Sequence, residues 1–355
     1  MPRTHESVTR SRMAEKLAAL KGFEYAGEYS RAIAYDSLYF VPSETLLLTQ
    51  ACELGIANQE HLFGGCVSEP FIGSKSITHP LFSPQALAPA GWTPGFAQDV
   101  ARVVLRGYSA FSIADARAAT AHLLKTERAR LKPALGIGGT GQTVIAHIDE
   151  LDAALAAIDP EELGQFGVVI EQDLEEVITY SVGCAEVAGI PIAYYGTQSL
   201  TRNHCDQNVY GGSSLHIVRG DFQTLQGMDL PSEITRAVAQ ACVYDQAAQR
   251  HLPGFFASRR NYDVAQGMDR KGQICTGVLE QSWRIGGASP AEIAALEAFA
   301  ADSRLHTIHV STCERYGIGE PPAAASVHFR GIDGRAGAIA KYTMIDAYEY
   351  SADPA

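Results

Sequence analysis

Cysteines spaced for a disulfide framework or a structural zinc site are missing from this chain of 355 residues. The seven present (Cys52, Cys66, Cys184, Cys205, Cys242, Cys275, Cys313) are odd in number, scattered, and never in Cys-x-x-Cys spacing. That distribution predicts reduced thiols and a cytoplasmic protein, with Cys66 a buried thiol rather than a nucleophile. Positive charge is scarce too. With 28 Lys and Arg against 40 Asp and Glu, the formal net charge is −12, which argues against a nucleic-acid surface, since that needs clustered cations. No secretory signal is evident, because the segment MPRTHESVTRSRMAEK is polar and charged. Ser76 to Gln98 has no Asp, Glu, Lys or Arg, but Pro80, Pro84, Pro89 and Pro94 rule out a spanning helix there.

What remains is the balance of a soluble globular enzyme, 46% hydrophobic and 19% charged, on a chain long enough for two or three packed lobes. Residues 10–60 suit a small α/β unit. Ser112 caps a helix predicted over 112–124. The segment 129–148, ARLKPALGIGGTGQTVIAHI, reads as strand, glycine-rich hairpin turn and strand. A helix over 148–158 and a strand over 166–174 follow, then two strands joined at Ala188-Gly189. Pro231 and Ser232 open a long helix that Pro253-Gly254 ends. Strands FASRRNYDVAQGM and GQICTGVLEQSWR, joined at Asp269–Gly272, precede a helix over 288–302.

Three features carry chemistry. The loop Gly136 to Gln142, with Gly136, Gly138, Gly139 and Gly141, lets backbone N–H groups approach phosphate closely, although a flexible hairpin without ligand reads equally simply. It is neither a Rossmann nor a Walker loop, because a strand follows it and Gln142 follows Gly141. Lys132 on the incoming strand suits phosphate, or else holds its head in solvent. As a cleft-facing strand lysine it would contribute little to stability, on the order of 0.5 kcal/mol. Asp263 and Glu280 end strands that a hairpin would make neighbours, and two acids facing across strands call for a cation such as magnesium. Ser282 and Arg284 share the Glu280 face by the strand period of two. A surface salt-bridge cluster is the alternative.

In this order the segments LKPALGIGGTGQTV, GVVIEQDLEEVITYSVG, PGFFASRRNYDV and GVLEQSWRIGG resemble the motifs of the ATP-grasp superfamily, over residues from about 112 to 302. The resemblance implies an α/β and α+β chain with an ATP-grasp fold. An N-terminal α/β lobe (1–105) would precede a small α+β lobe with the glycine-rich loop (106–176) and a C-terminal α+β lobe with the metal site (177–355), the two α+β lobes clamping ATP. Lys132 and Lys75 would bind phosphates, Gly136–Gly141 would cover them, and Glu171, Gln172, Leu174 and Glu176 would hold adenine and ribose. Asp263, Glu280 and Ser282 would bind Mg2+, and Arg284, with Lys132, would act on the transferred group. Ser282 stands where the superfamily usually has Asn, and Thr179 where it usually has the ribose acid.

The implied activity joins a carboxylate, activated by ATP as an acyl-phosphate, to an amine. A kinase and a nucleotide-binding regulatory protein without turnover are the alternatives. The expected partners are small-molecule carboxylate and amine substrates, without nucleic acid or membrane and compatibly with a homodimer. The segment 194–222, rich in Tyr, Asn, His and Arg, is read as a substrate-facing insert in which Arg202, Tyr210 and Arg219 bind carboxylate or amide, or as a solvated loop. His204-Cys-Asp206 lacks metal-ligand spacing.

Overall fold

The computed structural model describes residues 4–136 and 141–350 and shows a mixed α/β chain with three sheets. The N-terminal region holds helix α1 (His5–Lys21), strand β1 (Leu46–Leu47), helix α2 (Leu48–Glu53), strand β2 (Gly65–Val67) and helix α3 (Pro94–Val100). Thr4 caps α1 by accepting from the Ser7 N–H, and Gly22 ends it in the left-handed conformation (φ 70°) that glycine adopts without penalty.

Strand β3 (Gly107–Ala110), helix α4 (Ile113–Leu123), strands β4 (Ala129–Pro133) and β5 (Thr143–Ile145), helices α5 (Ile148–Leu155) and α6 (Pro160–Phe166) and strand β6 (Val168–Gln172) follow. Their strands form a four-stranded antiparallel sheet in the order β3-β6-β4-β5. Leu131, Ile145, Val168 and Ile170 of this sheet pack on Ala116, Leu123, Leu151, Leu155 and Leu163 from the three helices. Ser112 caps α4, accepting from the Asp115 N–H. The glycine-rich segment joins β4 and β5, which are antiparallel neighbours, as a hairpin reading requires.

The remaining chain comprises β7 (Glu175–Val187), β8 (Ile190–Arg202), β9 (Asn208–Arg219), α7 (Phe222–Gln226), α8 (Ser232–His251), β10 (Phe256–Ala257), β11 (Arg259–Met268), β12 (Ile274–Ser282), α9 (Ser289–Ala301), β13 (Leu305–Tyr316), β14 (Ser326–Asp333) and β15 (Gly337–Tyr350). An eight-stranded antiparallel sheet runs β12-β11-β7-β8-β9-β13-β15-β14. One face packs Val182, Val218, Tyr262, Val264 and Val278 against α8. The other packs Ile192, Ile217, Ile308 and Val310 against α9 and against Met13 and Leu17 of α1.

The N-terminal region is therefore built into both faces of the large sheet. Phe71, Ile72 and Phe96 share the core of α8, and β2 pairs with β1 on one side and with β10 on the other. Its own cluster is small, formed by Ala51, Ile56, Leu62 and Cys66. Residues 194–222 are a correction to the insert reading. Most of them are the long strands β8 and β9, whose alternation of buried apolar (Leu215, Ile217) with polar residues (Ser214, His216) fits sheet rather than loop. Among the described residues no helix is long and apolar enough to cross a membrane. All seven cysteines are free, and burial pushes the Cys66 thiol up to about 12.

Candidate functional site between the two sheets

Lys132 sits on β4 and Glu171 on β6, neighbouring strands of the small sheet. Their side chains form an ion pair, and His79 Nε2 lies 3.1 Å from the other Glu171 oxygen. All three are buried, Lys132 with only 4% exposure, so the alternative of a lysine with its head in solvent gives way to a buried ion pair. Burial alone would raise the Glu171 carboxyl, but the Lys132 ammonium and His79 outweigh it and hold the carboxyl down to about 2. Gly107 makes this possible. A Cβ there would meet His79 Cε1, Glu171 Cβ and the Ile170 carbonyl, all at 2.9 Å.

On the large sheet, Asp263 of β11 stands directly opposite Glu280 of β12. A bulge places the next pair at Val264 and Val278, so Leu279 is the extra residue. By that insertion Val278 points into the α8 core while Glu280, two residues on, points out of the opposite face beside Asp263. Burial and then Glu280 push the Asp263 carboxyl up to about 6. One of its oxygens accepts from Gln198 Nε2 at 2.8 Å and from Asn261 Nδ2 at 2.9 Å.

Lys75 joins the two sheets. Its Nζ lies 2.9 Å from Glu280 Oε2 and donates to the Gly136 carbonyl at 2.6 Å. The short turn that carries it, Lys75–Ile77, is pinned from behind. Gln281 Nε2 donates to the carbonyls of Ile72 and Ser74, and Thr78 Oγ1 pairs with the Tyr244 hydroxyl of α8. The structure thus brings together Lys75, Gly136, Asp263 and Glu280, with Lys132 and Glu171 paired and buried on the neighbouring strands β4 and β6. Gly141 is in the left-handed region (φ 76°); Gly138 and Gly139 lie outside the described residues.

Ser282 is held by its neighbour. Arg259 Nη1 lies 3.2 Å from Ser282 Oγ and donates to the Ser282 carbonyl at 2.9 Å, while the rest of that guanidinium forms a fully buried pair with Glu292. Arg284 donates to the Ile285 carbonyl, and burial followed by Arg259 lowers the affinity of its guanidinium for its proton. Along the hinge, Gln172 Nε2 lies 3.5 Å from Cys275 Sγ, Leu174 is buried, and Glu176 is exposed in a left-handed conformation (φ 51°). Asp173 pairs with Arg128 and Arg130.

The three residues expected to face substrate are dispersed. Tyr210 is half-buried, its hydroxyl pairing with Ser213 and Thr312, and its ring packs where a Cβ on Gly287 would be, beside the turn after Arg284. Arg202 is exposed at the β8–β9 hairpin end and pairs with Asp206. Arg219 donates to the carbonyls of Phe299, Asp302 and Leu305, which satisfies the end of α9. A cavity of about 460 Å³ lies elsewhere, among Lys16, Pro290, Glu297, His328 and Tyr348, and none of the candidate residues lines it.

Two carboxylates in register, one of them raised by burial and then by the other, fit a hard divalent cation. Among the described residues no third His, Cys, Asp or Glu completes a cluster, so the remaining ligands would be neutral oxygens, water among them, and phosphate oxygen. His79, Gln198, Asn261 and the Arg259–Glu292 pair escaped sequence reasoning, since each earns its place through a strand register or loop path that no local pattern announces.

Comparison with solved structures returns low-identity likenesses. The biotin carboxylase domain of Hydrogenobacter thermophilus 2-oxoglutarate carboxylase, in complex with MgADP, ADP and bicarbonate, has a TM-score of 0.45 at 15% identity, covering 72% of this chain and 65% of that one. N5-carboxyaminoimidazole synthetase from Staphylococcus aureus, complexed with ADP, has a TM-score of 0.44 at 12% identity, covering 70% and 65%. D-alanyl-alanine synthetase A from Vibrio cholerae has a TM-score of 0.34 at 11% identity, covering 57% and 60%. The chain spans less than two thirds of the length of each. No curated protein matches it. The model of the family described as "Protein of unknown function (DUF3182)" matches residues 1–343, and the chain belongs to that family.

Proposed function

We propose that this chain binds Mg-ATP between its small and large sheets, as ATP-grasp ligases do, and uses it to activate a carboxylate for attack by an amine. The observation that carries this reading is the junction at Lys75, where one ammonium touches both the first carbonyl of the glycine-rich hairpin and a carboxylate of the Asp263–Glu280 pair. A phosphate-type loop and a cation-type acid pair within reach of one lysine are what a nucleotide triphosphate needs. The substrate carboxylate oxygen would attack the γ-phosphorus as ADP leaves, and the amine would then attack the acyl carbon as phosphate leaves. Magnesium, when bound, would offset charge on the transferring phosphoryl group.

The chain's own residues would mainly position and neutralise. Lys75, released from Glu280 when phosphate arrives, would take the phosphate oxygens. Lys132, fixed by Glu171, would hold its charge on β4, and Arg284, two residues past the end of β12, would face the γ-phosphate. A second reading, nucleotide binding without turnover, is favoured by Ser282, whose hydroxyl is engaged by Arg259.

Thermal unfolding with nucleotide tests the first step. Mg-ATP at a hundred times its dissociation constant adds about 2.7 kcal/mol to stability, and the shift should be weak without magnesium. Release of free phosphate across candidate acids and amines separates the ligase from a kinase and from the second reading. Stabilisation by NAD but not by Mg-ATP overturns the proposal.

A further inference from the structure

The Asp263 carboxylate is gripped on one side only. Gln198 Nε2 and Asn261 Nδ2 both donate to Oδ1, at 2.8 and 2.9 Å, while Oδ2 takes no hydrogen bond from the described residues. The two amides differ in what their oxygens do. Asn261 Oδ1 is committed, accepting from Ser181 Oγ at 2.8 Å in a buried setting, with the Tyr194 hydroxyl, which also reaches Glu292 at 2.5 Å, 2.9 Å away. Gln198 Oε1 has no such partner among the described residues, and Gln198 is half-buried on β8, on the face that carries Asp263.

We propose that Gln198, tethered to Asp263 by its amide N–H, supplies Oε1 as a neutral third oxygen donor to the cation site formed by Asp263 and Glu280. This assignment rests on the reading of that pair as a cation site. Because one carbon joins Oε1 to the donating nitrogen, the carbonyl oxygen stays close to the same carboxylate, within reach of a cation held by Asp263 and Glu280. Magnesium takes oxygen ligands of this kind alongside carboxylate, phosphate and water. Ser282, the other neutral oxygen on the Glu280 strand, has the Arg259 guanidinium at its hydroxyl and carbonyl, and a second cation there would be repelled. Asn261 then acts as a positioning residue, while Gln198 touches the ion.

The test uses the full chain with a non-hydrolysable ATP analogue and Mn2+ as the probe, free Mn2+ being read by electron paramagnetic resonance. Gln198→Leu removes both donor and acceptor, and Gln198→Glu keeps an oxygen but loses the N–H. The Leu variant should bind Mn2+ about tenfold or more weakly, the scale on which ligand-shell changes act, and the Glu variant should match or exceed the parent. Affinity for the analogue without metal should not change in the Leu variant. Parent-like Mn2+ binding by the Leu variant overturns the assignment. So does a Glu variant as weak as the Leu variant, since Gln198 would then serve only as a donor to Asp263. If the parent itself binds neither analogue nor Mn2+, the nucleotide reading fails at its root, a result separable from either variant outcome.

Discussion

The small sheet holds Glu171 and the large sheet holds Asp263, and the two sheets treat these acidic charges oppositely. Glu171 is buried between Lys132 and His79, and its carboxyl is held well below the ordinary carboxylate range. Asp263 is half-buried against Glu280 and its carboxyl is pushed above that range. The first centre carries its own counter-charge and is complete. The second gathers two carboxylates with one lysine, Lys75, that is also tied to the opposite lobe. Completed charge is what a preorganised framework has, whereas incomplete charge is what a binding site has. Lys132 belongs to the first.

Breaking the completed centre should have the largest effect. Glu171→Gln leaves the Lys132 ammonium buried without a counterion, which costs about 3–5 kcal/mol of folding stability. Lys132→Ala strands the carboxylate in the same way, so it should be far more damaging than a cleft-facing lysine would predict. The pH dependence follows from the depressed carboxyl. Between about 2 and 4.5 the unfolded chain binds the proton and the native chain does not, so acid favours unfolding. The contribution is complete above about 4.5 and is lost as pH falls toward about 2. Denaturant titrations of parent and Glu171→Gln should therefore differ most near neutrality and converge in acid. A difference below about 1 kcal/mol at neutral pH would mean that the pair does not hold the small sheet.

Disturbing the incomplete centre should harm turnover more than folding. Glu280→Gln keeps the shape, removes one charge from the cation pair and leaves Lys75 its bond to the Gly136 carbonyl. Turnover of ATP should fall by at least about a hundredfold, on the order of 2.7 kcal/mol in the barrier, with the magnesium requirement moved to higher concentration. Steady-state assays over a magnesium series measure both. Full activity at unchanged magnesium demand would remove Asp263 and Glu280 from the metal role and erase the contrast between the two centres.

Local chemistry made much of this architecture readable. Ser112 and Pro231-Ser232 announce helices α4 and α8 through their starting residues, and the glycines after β4 announce a hairpin. The facing of Asp263 and Glu280 was inferable from two strands with a short turn between them. The Leu279 bulge was not, because an inserted residue looks like any other until its partner strand is known. Lys75 and His79 lie on a loop whose path is set by Gln281 and Tyr244, far away in sequence. Strands β13 to β15 mix polar and apolar residues on a sheet with both faces partly covered, so their alternation is blurred.

The smallest effect should come from Arg202, which a reading by residue type groups with Tyr210 and Arg219. At the hairpin end its guanidinium is 61% exposed, and its partner Asp206 is 88% exposed. Such a pair gains little, because water screens the attraction and two long side chains must be ordered to make it. Arg202→Ala should change stability by about 0.5 kcal/mol or less and leave Mg-ATP binding unchanged, since nothing connects it to Asp263 or Lys75. Tyr210, by contrast, packs beside the turn after Arg284. Binding of Mg-ATP and turnover with each candidate acid, measured for Arg202→Ala against the parent, check this. A loss of turnover confined to one acid would bring the hairpin end into the substrate site, and the cleft would then extend along β8 well past Gln198.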